Sequence, residues 1–253
     1  MTRNTPTVAE PPPAPTTQPD STPTPARTPA RTTYRHGDLR RALLDAGIDL
    51  ARAGGPEAIV LREATRRAGV VPNAAYRHFA NRQDLLEAVR AAALSQLAME
   101  MEAAMEAERA TVSPEDEEVD AGDAADAADA ATRARAMLRA VGRGYLRYAQ
   151  RETGLFRTAF SVREQARQVE EEADPAKAGN SGLNPFQLLS AALDGLVTAG
   201  LLSSGRRPGA EYLAWAAVHG LAMLALDGPL HGRPAEEIDA LSQRLLEMVE
   251  QGL

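Results

Sequence analysis

The sequence predicts an all-α protein: a small amino-terminal unit of three helices followed by a larger helical body. Three observations predict it. Apolar residues recur every three or four positions in one segment after another between Asp38 and Val249. A helix-turn-helix pattern occupies Leu61 to Phe79. Charge is divided unevenly along the chain. Residues 31–90 hold eleven Arg, no Lys and seven acids, a net +4, whereas residues 91–253 hold 15 bases and 26 acids, a net −11. A positive head on a negative body confines attraction for a polyanion to one end of a chain whose overall charge is −7.

Composition narrows the function classes. The chain has 253 residues, 44% of them hydrophobic, which is enough for one small and one larger domain. There is no cysteine, so disulfides, cysteine-metal sites and thiol redox sensing are excluded. No run of about 18 apolar residues is present to span a membrane, and no apolar core of a signal peptide follows the amino terminus. The expectation is a cytoplasmic protein with no membrane contact. No nucleophile–base pair, glycine-rich phosphate loop or metal-ligand spacing stands out, so neither an enzyme nor a cofactor or metal is expected.

Residues 1–33 hold nine of the 17 prolines among many threonines and are expected to form a disordered tail. Its repeat from Pro25 to Thr32 leads Arg27, Arg31 and Arg35 toward the head, either as a basic arm or, with so few charges, as a solvated linker. Asp38 to Ala53 reads as the first helix, with Leu39, Leu43, Ala46 and Leu50 on one face and Gly54-Gly55-Pro56 ending it. In the next segment Ala64 and Ala68 share a face that lets a second helix approach. Gly69 suits a left-handed turn, Val70 plugs it, and Pro72 suits the first position of a helix on which Ala75 and Phe79 face inward. That second helix is the element such a motif inserts into a DNA major groove.

These residues carry a resemblance. Ala68-Gly69-Val70, then Tyr76-Arg77-His78-Phe79, Asn81-Arg82 and Asp84-Leu85-Leu86 resemble the amino-terminal domain of TetR-family regulators, and Tyr34-Arg35-His36-Gly37-Asp38-Leu39-Arg40 resembles the YHHGDLR segment of one branch. The likeness covers residues 34–90. It implies base reading by Arg62 first, then Asn73 and Arg77, beside Ala74. It implies phosphate contact by Tyr76 and His78, by Arg82 where the family usually has Lys, and by Tyr34. A packing role for His78 stays open, and Arg66 and Arg67 read as a solvated face. Val60 and Val71 stand where the family usually places a Ser or Thr that caps a helix and reaches phosphate, so greater dependence on arginine is expected.

Residues 91–253 form the expected body. A long helix runs from Gln83 to about Arg109, with Leu86, Val89, Ala93, Leu97 and Met101 on its apolar side. Residues 111–131 read as an acidic, alanine-rich exposed insertion, more loop than helix. Helices follow over Arg133–Arg151, Leu155–Val162, Phe186–Leu202, Tyr212–Leu226 and from Pro234 onward, with an acidic loop at 168–182. Trp215 with Val218-His219-Gly220 resembles the W-x3-HG signature of the TetR-type carboxy-terminal domain called WHG. That resemblance implies a ligand-binding and dimerisation domain. Tyr145, Tyr148, Phe156, Phe160, Phe186, Leu189, Trp215 and His219 are the candidates for a ligand cavity, with core packing the competing reading for each one. Val218, Leu221, Leu224 and Leu245 are the candidates for a dimer interface. The reading is a homodimeric, ligand-responsive repressor with a double-stranded DNA operator and an unidentified small-molecule effector. The alternatives are a ligand-independent regulator or activator, or a helical interaction protein acting through the acidic insertion.

Overall fold

A computed structural model describes residues 1–2, 36–112, 123–161 and 174–253. Chain contacts separate Met1–Thr33 from Tyr34–Leu253, and every helix named here lies in the second unit. Among the described residues there are nine α-helices and no strand: α1 (His36–Gly54), α2 (Leu61–Arg67), α3 (Pro72–Ala75), α4 (Arg82–Val112), α5 (Asp123–Arg151), α6 (Thr153–Ala159), α7 (Pro185–Thr198), α8 (Ala210–Leu226) and α9 (Ala235–Gly252). Single 3-10 turns stand at Pro56–Ala58 and Pro175–Lys177. No helix among the described residues is long and apolar enough to cross a membrane.

The predicted stripe of α1 is buried, with Leu43 fully enclosed and Leu39, Ala46 and Leu50 beside it. It meets α2 and α3 on one side and the first turns of α4 on the other. Gly69 takes φ +67° after α2, and the two bonds that end the helix, Val70 N–H to Thr65 O and Gly69 N–H to Arg66 O, form a Schellman cap. The second motif helix is shorter than its apolar spacing implies. After Ala75 the backbone tightens into i→i−3 bonds from Arg77 to Ala74 and from His78 to Ala75, as helix ends do. Ala75 and Phe79 still reach the core, and the Arg40 guanidinium lies 5.1 Å from the Phe79 ring centre.

The long helix α4 opens on reciprocal caps: the Asn81 side chain accepts from Asp84 N–H, and the Asp84 carboxylate accepts from Ala80 N–H. Its 31 residues then pack along α5, α6 and α7. The sequence suggests a break before Arg133, but α5 starts at Asp123, so the whole DAADAADAA stretch, residues 123–131, is helical. Alanine is the strongest helix former, and six of those nine residues are alanine, which accounts for the difference. Residues 113–122, the rest of that insertion, lie outside the described residues, as do Val162, residues 168–173 of the acidic stretch at 168–182, and the amino-terminal arm with Tyr34.

α6 is wedged between the two halves. At Gly154 the α6 backbone comes so close to the Ala51 and Arg52 carbonyls of α1 that a methyl group would collide with them. Glu152 accepts from Arg52 at 2.8 Å on the same seam. At the other end Arg157 pairs with Asp227 and donates to the Leu226 carbonyl, fastening α6 to the end of α8. Before α7, Glu102 of α4 accepts from the Asn180 and Ser181 backbone N–H groups at 2.8 and 2.9 Å. Asn184 and Gln187 then cap α7 reciprocally.

Candidate functional site

The outer face of the head is built by α2, the turn and α3. Arg62, Asn73, Tyr76 and Arg77 are exposed there, and none of their side chains has a hydrogen-bond or ion-pair partner among the described residues. Ala74 is half-buried and packs against the core. His78 is half-buried. The neighbouring Arg66 and Arg67 differ: both donate to Glu63, at 2.7–2.8 Å and 3.2 Å. These bonds, the one from Arg66 foremost, hold the Glu63 carboxyl down at about 2. The two arginines thus share one carboxylate that offsets half of their charge, while Arg62 and Arg77 are left with all their guanidinium donors for an outside partner.

Arg82 has a second role that the motif does not reveal. Its Nε donates to the Ile59 carbonyl at 2.7 Å and Nη2 to the Pro56 carbonyl at 2.6 Å, which fixes the turn leading into α2. The Nη1 hydrogens and one hydrogen of Nη2 are left for a phosphate. Val60 begins α2 without a side-chain cap, and both it and Val71 are exposed. Such a surface offers a duplex unpaired guanidinium forks, an amide, a phenol and two branched apolar groups.

The body contains a cavity of about 980 Å³, at the upper end of the roughly 300–1,000 Å³ typical of small-molecule sites. Six of the eight expected lining residues do line it: Tyr145, Phe160, Phe186, Leu189, Trp215 and His219. Tyr148 and Phe156 do not. Tyr148 turns toward α4 and donates its hydroxyl to the Ala93 carbonyl at 2.9 Å, and burial pushes that hydroxyl's pKa up. Phe156 is fully buried behind the wall, edge-on to Tyr145 at 5.4 Å. Spacing along α5 and α6 selects the inward side, but not which inward residues face the void.

Three of the lining residues form a relay. Trp215 Nε1–H donates to the Tyr145 hydroxyl at 3.1 Å, and that hydroxyl stands 2.8 Å from His219 Nδ1. In the neutral tautomer with its hydrogen on Nε2, His219 Nδ1 accepts the Tyr145 hydroxyl proton, and the tautomer sets the direction of this bond. Burial lowers the His219 pKa below its ordinary value and pushes the Tyr145 hydroxyl up.

The residue that sequence reasoning missed is Arg90. It lines the cavity and is 8% exposed, and among the described residues its Nε has no hydrogen-bond partner. The signal was present: position 90 falls in the buried line Leu86, Ala93, Leu97, Met101 of α4, where a charged residue interrupts the apolar repeat. Of the four interface candidates, Val218 and Leu221 are buried inside the chain itself, because that side of α8 packs on its own body. Leu245 is half-buried and Leu224 exposed. Leu213, at 67%, and Met248, at 59%, are the apolar residues most exposed on α8 and α9.

The chain matches the family model "Bacterial regulatory proteins, tetR family" over residues 43–89 and "Tetracyclin repressor-like, C-terminal domain" over 138–249. A protein of unknown function from Rhodococcus sp. RHA1 has the same fold with a TM-score of 0.62. It is 26% identical over 88% of this chain and 99% of its own. The transcriptional regulator FadR of Bacillus subtilis, solved in complex with stearoyl-CoA, superposes with a TM-score of 0.51 at 16% identity, covering 84% of this chain and 98% of its own. No curated protein sequence matches the chain.

Proposed function

This chain belongs to the TetR family of DNA-binding transcriptional regulators, and from that premise we propose that it is a homodimeric repressor released from its operator by a small molecule. The observation that carries the proposal is the cavity's position. Its wall includes Arg90 of α4 and Ala159 at the end of α6, and these same two helices hold α1 of the head. A guest that prefers one arrangement of α4 and α6 biases the aim of the helix-turn-helix by that preference, and by no more.

In this reading Arg62, Asn73 and Arg77 read base edges. Tyr76 and His78 contact phosphate, joined by Arg82 through its remaining donors and by Tyr34 from the amino-terminal arm. Residues 34–90 act as the DNA-binding domain and 91–253 as the ligand-binding and dimerisation domain. The dimer forms through α8 and α9. Leu213, Ala217, Gly220 and Leu224 fall at helical spacing on α8, and Leu241, Leu245 and Met248 do so on α9. An apolar seam of this kind suits a second copy related by a twofold axis. Two heads then meet successive major grooves of a near-palindrome.

The test is a footprint of the purified protein on DNA flanking its own gene at two salt concentrations, repeated with small molecules selected for quenching the fluorescence of Trp215. Paired protected half-sites that persist at the higher salt and vanish with a cavity binder are the expected result. Diffuse, salt-labile protection overturns the operator reading. Protection that is indifferent to every cavity binder overturns effector control.

A further inference from the structure

Building on the effector reading above, we propose that the cavity takes an anionic amphiphile, an apolar body ending in one carboxylate-type head, and that Arg90 binds the head. The walls supply the apolar half of the argument. Leu94, Leu138, Val141, Phe160, Leu189 and Trp215 line the space, and an elongated hydrocarbon or ring system has no polar demand to meet there.

The polar half lies in how the cavity's charges are satisfied. Arg139 lines the cavity but is tied to Glu250 at 3.2 Å. The Trp215–Tyr145–His219 relay satisfies itself and leaves only the His219 Nε2 over. Arg90 is different. Nη2 donates to the Ala159 carbonyl at 3.2 Å. Nη1 lies 3.3–3.4 Å from the Glu87 carboxylate, and Nε–H is buried with no partner among the described residues.

A buried donor on a cation calls for an acceptor, and the described residues do not provide one. Nη2 has a second hydrogen, so Nε and Nη2 together form the side-on fork that fits the two oxygens of a carboxylate. Glu87 does not cancel this demand. Its side chain is 41% exposed against 10% for that of Arg90, so solvent screens the acid far more than the guanidinium. Lys177, also in the wall, adds a second positive charge, its own partner Asp174 lying partly in solvent. The head therefore docks where α4 meets the end of α6, with the apolar body extending toward α7 and α8.

The experiment compares cis-parinaric acid with its methyl ester, read by quenching of Trp215, the only tryptophan of the chain. The acid is expected to bind about tenfold or more tighter than the ester. Arg90→Gln lowers acid affinity by a similar factor and leaves the ester unchanged, and Arg90→Lys restores part of the preference. A melting curve confirms that each variant is folded, and the acid–ester comparison in the unmodified protein stands without any variant. Equal binding of acid and ester, or an equal loss of both in Arg90→Gln, overturns the head-group assignment alone. Failure of the acid, the ester and the uncharged N-phenyl-1-naphthylamine to bind overturns it together with the effector reading.

Discussion

The head and the body each keep guanidinium donors unpaired, and they do so in opposite surroundings. Arg62 and Arg77 stand in water, where an unpaired cation costs almost nothing and remains ready for a phosphate or a guanine edge. Arg90 stands at 8% exposure, where an unpaired donor is destabilising. The same side chain is therefore weak evidence of a ligand on the surface and strong evidence in the interior. On the outer face, pairing separates Arg62 and Arg77 from Arg66 and Arg67, which Glu63 already holds.

The contrast can be broken most severely at its platform. Phe79→Ala empties the core of the head beneath α3 and is expected to cost about 3–5 kcal/mol, seen as a fall in denaturation midpoint with loss of DNA binding. An unchanged midpoint would mean that Phe79 does not anchor the motif. Next comes Arg62→Ala, expected to weaken operator binding by about 1–3 kcal/mol while non-specific binding changes little. Equal losses on operator and random DNA, compared in gel shifts, reassign Arg62 to phosphate.

Acid sharpens the interior side of the comparison. His219 is held neutral by burial, with a folded pKa below the ordinary 6.5. Between those two values the unfolded chain binds the extra proton, so this contribution to stability is complete above 6.5 and is lost as pH falls toward the folded value. Melting temperature should therefore drop on acidification below 6.5, and His219→Gln should flatten that part of the profile. Parallel profiles for the two proteins would remove His219 from the account. The smallest effect belongs to Glu63→Gln. Releasing Arg66 and Arg67 should raise affinity for random DNA and steepen its log–log salt dependence by roughly 1–2. An unchanged slope would mean that both arginines face away from the duplex.

The head was more legible in the sequence than the body because its signals are local. The turn needs a left-handed residue two positions after α2, where Gly69 stands, and Asn81 with Asp84 closes a cap within four residues, so spacing alone suffices. The role of Arg82 was not legible, because the Pro56 and Ile59 carbonyls it holds are more than twenty residues away in sequence. In the body, Tyr145 and Tyr148 share the inward side of α5, and only the placement of α4 decides that Tyr148 meets the Ala93 carbonyl while Tyr145 meets the cavity. The family resemblance implied an interface role for Val218 and Leu221, and the burial of that side of α8 within its own chain places them elsewhere. Arg90 was legible in principle, as a charge set into an apolar repeat. Spacing cannot tell whether such a residue points along the helix to solvent or into a void.

α4 starts in the head and ends deep in the body, at about 1.5 Å per residue over 31 residues a rod of roughly 46 Å. Its buried residues belong to one continuous core that runs from Leu39 to Leu253. Head and body therefore share a structural member rather than a linker, and neither can melt without unravelling part of the other. The chain should unfold as one cooperative block from α1 to α9. Anyone grafting this head onto a relative's body has to place the splice inside α4 itself and preserve its helical register, since a shift of one residue would rotate every buried side chain beyond the joint by 100°.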